Sequence, residues 1–322
     1  MTAPAAGAFK RTALSLFVDD THFDPPDQVA RLLAFCQDLG VRGKLSLISA
    51  FDCLALGETF GMAAGAAQPA FLTALQGASA RGFDVHMELM THDVLWDFAA
   101  GHLHSGGPCE GIWLYDPEVS RADYTAYFGA VLDHAARSGV TINGVSVPGC
   151  DCARCADTWA DLQARGHHVV SANAVSALLG LAVEGRFGVP VVALYSDEAD
   201  ASHPTALLRS QGRFAVYDAR LDMSVQDRIG FDGRLDADFY ISADGKSGRI
   251  AELVLSGADQ CFFCAHWFSM NPSEGEGWQV FQEILHRIHD TLADRIAWVT
   301  PSAYGARLLD AARMDALLVP LG

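Results

Sequence analysis

Short apolar runs alternate with amphipathic ones along most of the chain, and this alternation limits the fold more than any other feature. "TALSLFV" (12–18) reads as a strand. "DPPDQVARLLAFCQDLG" (24–40) then reads as a helix, with Asp24 as cap, prolines in the first turn and Gly40 at the stop. The pattern repeats in "KLSLISAF" (44–51) as strand, "QPAFLTALQGASARG" (68–82) as helix and "FDVHMEL" (83–89) as strand. It continues through a helix over 121–139, a strand over 141–147, "CADTWADLQARG" (155–166) and "HHVVSAN" (167–173). A less regular stretch follows around 175–250, with strand candidates at 189–195, 212–217 and 236–242. The end is regular again, with a strand at 260–267, a helix at 277–295, a strand at 296–300 and a last helix near 302–315. Alternation with short connections predicts an α/β fold, a parallel sheet covered by helices. Seven or eight units predict a (β/α)7–8 barrel rather than an open sheet, one domain over 1–322 with an irregular insertion around 175–250.

The chain has 322 residues, half of them hydrophobic, which is enough for a sizeable core. No apolar run reaches membrane-spanning length. The start lacks a charged segment followed by an apolar one and a cleavage site, so the expected location is cytoplasmic. The net charge of −17 opposes binding to nucleic acid or anionic membranes, and it does not by itself identify a substrate, because acidic solvated faces serve solubility. No glycine-rich phosphate loop of either common kind is present.

Chemistry in a parallel barrel sits at the C-terminal ends of strands, and the charged residues gather there. The first strand runs into Asp19 and Asp20. The third, in "GFDVHMELMTHD", carries His86 and Glu88 and is followed by His92. A late strand ends at His266. An Asp, a Glu and a His suit three ligands of a divalent metal, with a position open for water. A helical turn after the third strand would let Glu88 and His92 face one ion across their four-residue step. A neighbouring aspartate would then take the proton of metal-bound water. Each residue also has a plain role: Asp19 and Asp20 as cap partners of the following helix, His92 as a turn residue, and Asp93 and Asp97 on a solvated face.

The order "LSLFVDD", "GVRGKLSLI", "ARGFDVHMELMTH", "GVSVPG", "CAHW", "AWVT" resembles the polysaccharide deacetylase, or NodB-homology, family over roughly residues 10–305. The resemblance implies a distorted barrel of the glycoside hydrolase/deacetylase type and a divalent metal, usually zinc. It also implies hydrolysis of N- or O-acetyl groups on sugars, or of related amide bonds. It makes Asp19 the catalytic base, Asp20 a metal ligand and His266 the general acid. Pro148 and Gly149 match the motif whose backbone N–H binds the oxyanion, with Cys150 beside them in the substrate loop. Two positions depart from the family. Glu88 stands where the first histidine of His-x-x-x-His belongs, with His92 as the second and His86 as a reserve ligand. Ser146 stands where an arginine orients the base. An Asp/Glu/His set is harder and more negative than the family's own.

Cys150, Cys152 and Cys155 follow the fourth strand, and Cys261 and Cys264 flank the late one. Three readings are open: a second metal site, a disulfide within 150–155, or unlinked thiols. The three-residue step from Cys261 to Cys264 points them to opposite faces of a regular strand. His22, Trp96 and Trp267 are candidates for the pocket wall, against core packing for the tryptophans. His102 and His104 read as part of a glycine-rich loop. Three functions compete: a metal-dependent deacetylase-like hydrolase, a hydrolase of a small cyclic amide or ureide C–N bond, and a binding barrel that has lost its chemistry.

Overall fold

The computed structural model describes residues 11–23, 27–47, 67–88, 94–97, 102–105, 129, 131–146, 192–194, 207–211, 214–217, 221–225, 235–267, 276–307 and 310. The expected α/β character holds: a mostly parallel sheet is accompanied by helices. The strands are β1 Thr12–Thr21, β2 Gly43–Leu47, β3 Phe83–Glu88, β4 Val94–Asp97, β5 His102–Ser105, β6 Gly144–Ser146, β7 Val192–Leu194, β8 Leu207–Gln211, β9 Phe214–Tyr217, β10 Leu221–Val225, β11 Gln260–His266 and β12 Ile296–Trp298. Helices cover Gln28–Asp38, Ala67–Gln76, 131–137, Ala237–Tyr240, Arg249–Ser256, Glu276–Leu292 and 301–307. None of these is long and apolar enough to cross a membrane.

One sheet has the order β10-β11-β1-β2-β3-β6-β7-β9-β8. Its ladders are parallel except β8–β9. β12 also pairs with β1, over Thr12–Leu14, and β2 takes up β1 from Leu16 onward. The central strands are buried almost throughout, as expected of parallel strands covered on both faces.

Alternation sorts the side chains into two sets. Leu14, Leu16, Val18, Leu45, Leu47, Phe83, Val85, Met87, Cys261, Phe263 and Ala265 join the main apolar core. That core also takes Leu32 and Leu33 of the first helix and Phe281, Ile284 and Ile288 of the long late one. The opposite face carries Ser15, Phe17, Asp19, Lys44, Ser46, Asp84, His86, Phe262, Cys264 and His266. Phe17 and Phe262 pack with ring centroids 5.4 Å apart, and Tyr304 closes on Phe262 at 5.1 Å. Asp84 accepts from the Ser302 backbone N–H (2.7 Å) and Oγ (2.8 Å), tying the 301–307 helix to the strand starts. Gly43 is required where β1 and β2 approach, because a Cβ there would meet the Leu16 carbonyl oxygen at 1.8 Å.

The expected strand at 236–242 is instead the helix Ala237–Tyr240. Asp236 caps it by accepting from the Asp238 N–H at 3.0 Å, a local bond that outweighs the strand preference of Phe239 and Tyr240. His102 and His104 lie on β5, which pairs antiparallel with β4, rather than in a loop.

Candidate active site

The site forms where β1, β2 and β11 end together. Asp19 and His266 are register partners on adjacent parallel strands, so both side chains leave the same face at the same level. Simple alternation would send Asp20 to the other face. A register shift between Val18 and Thr21 prevents this, and Asp20 takes φ 58°, the one positive value among described non-glycine residues. Bulges of this kind re-aim side chains beside functional sites, and aspartate tolerates the left-handed region better than most residues. Thr21 Oγ1 donates to the Val18 carbonyl at 3.0 Å, closing the shifted segment. The Asp20 carboxylate Oδ2 then lies 4.0 Å from His266 Nε2.

Asp19 is held by three donors. Its Oδ1 accepts from Lys44 Nζ at 2.7 Å and Ser46 Oγ at 2.8 Å, and its Oδ2 accepts from Cys264 Sγ at 3.0 Å. Lys44 Nζ also donates to Ser46 Oγ. Burial by itself raises the Asp19 pKa. The charges of Lys44 and His266, with the bonds from Lys44 and Cys264, outweigh it and hold the carboxyl well below its usual range. Cys264 moves the other way. Burial first, then the Asp19 charge, pushes its thiol well above the ordinary value. Cys264 is therefore a neutral donor here rather than a nucleophile, although its Sγ is 3.6 Å from His266 Nδ1. Exposure separates the roles: the His266 side chain is 28% exposed and that of Lys44 3%.

Below this level lies His86, fully buried, its Nε2 4.0 Å from Asp84 Oδ2. Burial, and then the Lys44 charge, push its pKa well below the ordinary imidazole value. A histidine that stays neutral in the folded state while the unfolded chain binds a proton loses stability as pH falls through the unfolded value. Lowering the pH from 6.5 to 5 is expected to cost up to about 2 kcal/mol from this group. Urea unfolding of wild type and His86→Leu at both pH values checks it; an equal pH slope in the two proteins would exclude His86 as the source.

The other candidates fall as follows. The Glu88 backbone ends β3 in register with Ser146, and its side chain lies outside the described residues, as do His92, Gly149 and Cys150. Trp96 is on β4, paired with Leu103. Trp267 is 1% exposed within the apolar core, because the residue after His266 turns to the opposite face; it packs there rather than lining a pocket. His22 is also buried, stacked on Phe23 at 4.1 Å. Cys261 and Cys264 occupy opposite faces, as their spacing predicts, and Cys36 and Cys264 are free thiols. Cys150, Cys152 and Cys155 lie outside the described residues. Among the described residues, no group of three His, Cys, Asp or Glu could hold a metal ion.

Sequence reasoning overlooked Lys44 and Ser46. The signal was present: in "KLSL", the polar residues occupy alternate positions of a strand otherwise made of leucine. A lysine on the buried face of a parallel strand needs a carboxylate partner.

No known family model matches the chain, and no curated protein matches it significantly. Several solved structures are weakly similar. A GH20 catalytic module of the pneumococcal exo-β-D-N-acetylglucosaminidase is 10% identical, covering 96% of this chain and 90% of its own, with TM-score 0.49. A truncated 3-deoxy-D-arabino-heptulosonate 7-phosphate synthase from Thermotoga maritima is 11% identical, covering 92% and 95%, with TM-score 0.34. A β-galactosidase from Rahnella sp. R3 is 10% identical, covering 91% of this chain and 57% of its own, with TM-score 0.39. With every score below 0.5, these likenesses carry no argument about the activity of this chain.

Proposed function

We propose that this chain is a hydrolase of the polysaccharide deacetylase type, cleaving an amide or ester, N- or O-acetyl, of a carbohydrate-like substrate. The observation that carries the reading is the Asp19–His266 register pair at adjacent strand ends, with Asp20 turned by the bulge toward His266 Nε2. In this reading the sheet closes into a barrel. β9 borders β7, β10 borders β11, and only residues 218–220 separate β9 from β10. Parallel neighbours need a crossover of about a dozen residues. β9 and β10 are therefore not ladder neighbours, and they lie toward the two ends of the sheet that would meet when the ring closes.

Asp20 is a hard oxygen donor at the ring's mouth and fits a divalent ion, with zinc the first choice. Glu88 and His92 would complete the set, and the bound ion would supply Lewis acidity toward the scissile carbonyl. Asp19 stays out of that set, since both its oxygens already accept from Lys44, Ser46 and Cys264. It would orient the attacking water and take its proton. Its three donors stabilise the carboxylate and weaken it as a base, leaving more of the proton transfer to His266, which protonates the leaving group. Backbone N–H groups near Gly149 would bind the oxyanion.

That saturation of Asp19 also favours a second reading, metal-free hydrolysis of a small cyclic amide or ureide by the His266–Asp20 pair. Elemental analysis separates the two. The first reading expects near-stoichiometric divalent metal, lost in Asp20→Ala and His92→Ala, with turnover of acetylated sugars. Metal-free protein whose activity neither substitution alters would sink it. Turnover of cyclic amides by metal-free protein, lost in Asp20→Ala and His266→Ala but kept in His92→Ala, would establish the second, and saturable sugar binding without turnover would indicate a binding barrel.

A further inference from the structure

Lys44 is the unexplained group of the interior. Its ammonium lies on the buried face of β2, against the Asp19 carboxylate at 2.7 Å and over the Phe17 ring at 4.6 Å from the centroid. Stability alone does not account for it, because well-packed apolar residues commonly replace a buried ion pair at no cost. What the arrangement does provide is a fixed carboxylate. Lys44 and Ser46 hold one oxygen from β2, while Cys264 holds the other from β11. Turning the carboxylate about its Cβ–Cγ bond breaks at least one of these contacts.

We propose that Lys44 is a positioning residue, whose ammonium, with Ser46 Oγ and Cys264 Sγ, fixes the Asp19 carboxylate opposite His266. The proposal rests on the hydrolase reading, in which Asp19 meets the attacking water. The full chain is tested as wild type, Lys44→Met, Lys44→Arg, Asp19→Asn and the Lys44→Met/Asp19→Asn double variant, with 4-nitrophenyl acetate as the probe ester. Misplacing a catalytic group costs on the order of 100-fold, so kcat of Lys44→Met is expected to fall by about that factor with KM within roughly threefold. Lys44→Arg is expected to restore at least about a tenth of wild-type kcat, since it keeps the charge and donors. A purely structural lysine would lower the melting temperature and leave kcat per folded molecule unchanged.

The melting temperatures provide a readout independent of turnover. The double variant, with both charges removed, is expected to melt closer to wild type than Lys44→Met does. A Lys44→Met protein that remains folded with kcat within about threefold of wild type overturns the proposal. If the wild type hydrolyses neither this ester nor acetylated sugars nor cyclic amides, the hydrolase reading has failed. The melting temperatures then decide for the clamp: non-additive shifts support it, and additive shifts overturn it.

Discussion

His266→Ala is expected to lower turnover of a responsive acetyl ester or amide by about 10²- to 10⁴-fold, the usual contribution of a positioned acid or base. The expectation follows from where the imidazole lies. It is the most exposed side chain of the Asp19, Asp20, Lys44 and His266 group, at the end of β11 opposite Asp19 and beside Asp20. It is a rim residue of an otherwise packed strand, so the substitution leaves the apolar core of Phe263 and Ala265 intact. Circular dichroism and the melting temperature should therefore stay near wild type while kcat collapses. A loss below about tenfold would remove His266 from the chemistry and with it the deacetylase-type assignment of roles.

Asp19→Ala is expected to destabilise the fold by about 3–5 kcal/mol at pH 7, because it strands the Lys44 ammonium in the interior without its carboxylate. Equilibrium urea unfolding measures it directly, and a change below about 1 kcal/mol would show that the ion pair is not buried in solution. The pH dependence has a definite sign. The Asp19 pKa is lowered in the folded state, so its stabilisation is complete above the unfolded carboxyl value. It is lost as pH falls below that value toward the folded one. Wild type should therefore lose more stability than Asp19→Ala between about pH 4 and pH 2, and the two unfolding curves should draw together in acid.

The strand and helix pattern was legible because its cause is local. Apolar residues at period two or near four, proline at helix starts and glycine at stops all act within a few residues. That is why β1, β2, β3 and β11 fall where the apolar runs predict. Local signals also explain the failure at 236–242, where the cap bond from Asp236 competes with the strand preference of Phe239 and Tyr240. Strands β8 and β10 escaped notice because each is five residues long with mixed polarity. Their identity depends on the ladders they join.

The candidate site divides along the same line. From the sequence alone, polar residues could be placed at strand ends, and the alternation of Cys261 and Cys264 between faces could be fixed, because side-chain direction along a strand is set by backbone geometry. The sequence could not show that a lysine on β2, a serine two residues on and a thiol on β11 converge on Asp19. Those contacts cross 25, 27 and 245 residues of chain and exist only once three strands are in register. Nor could it show that Asp20 turns back toward His266, since that depends on a bulge imposed by the pairing of β1 with β2. The sequence by itself determined which residues are available at the mouth of the sheet. The tertiary structure decided which of them meet and in what charge state, because burial and cross-strand neighbours, not local spacing, set both.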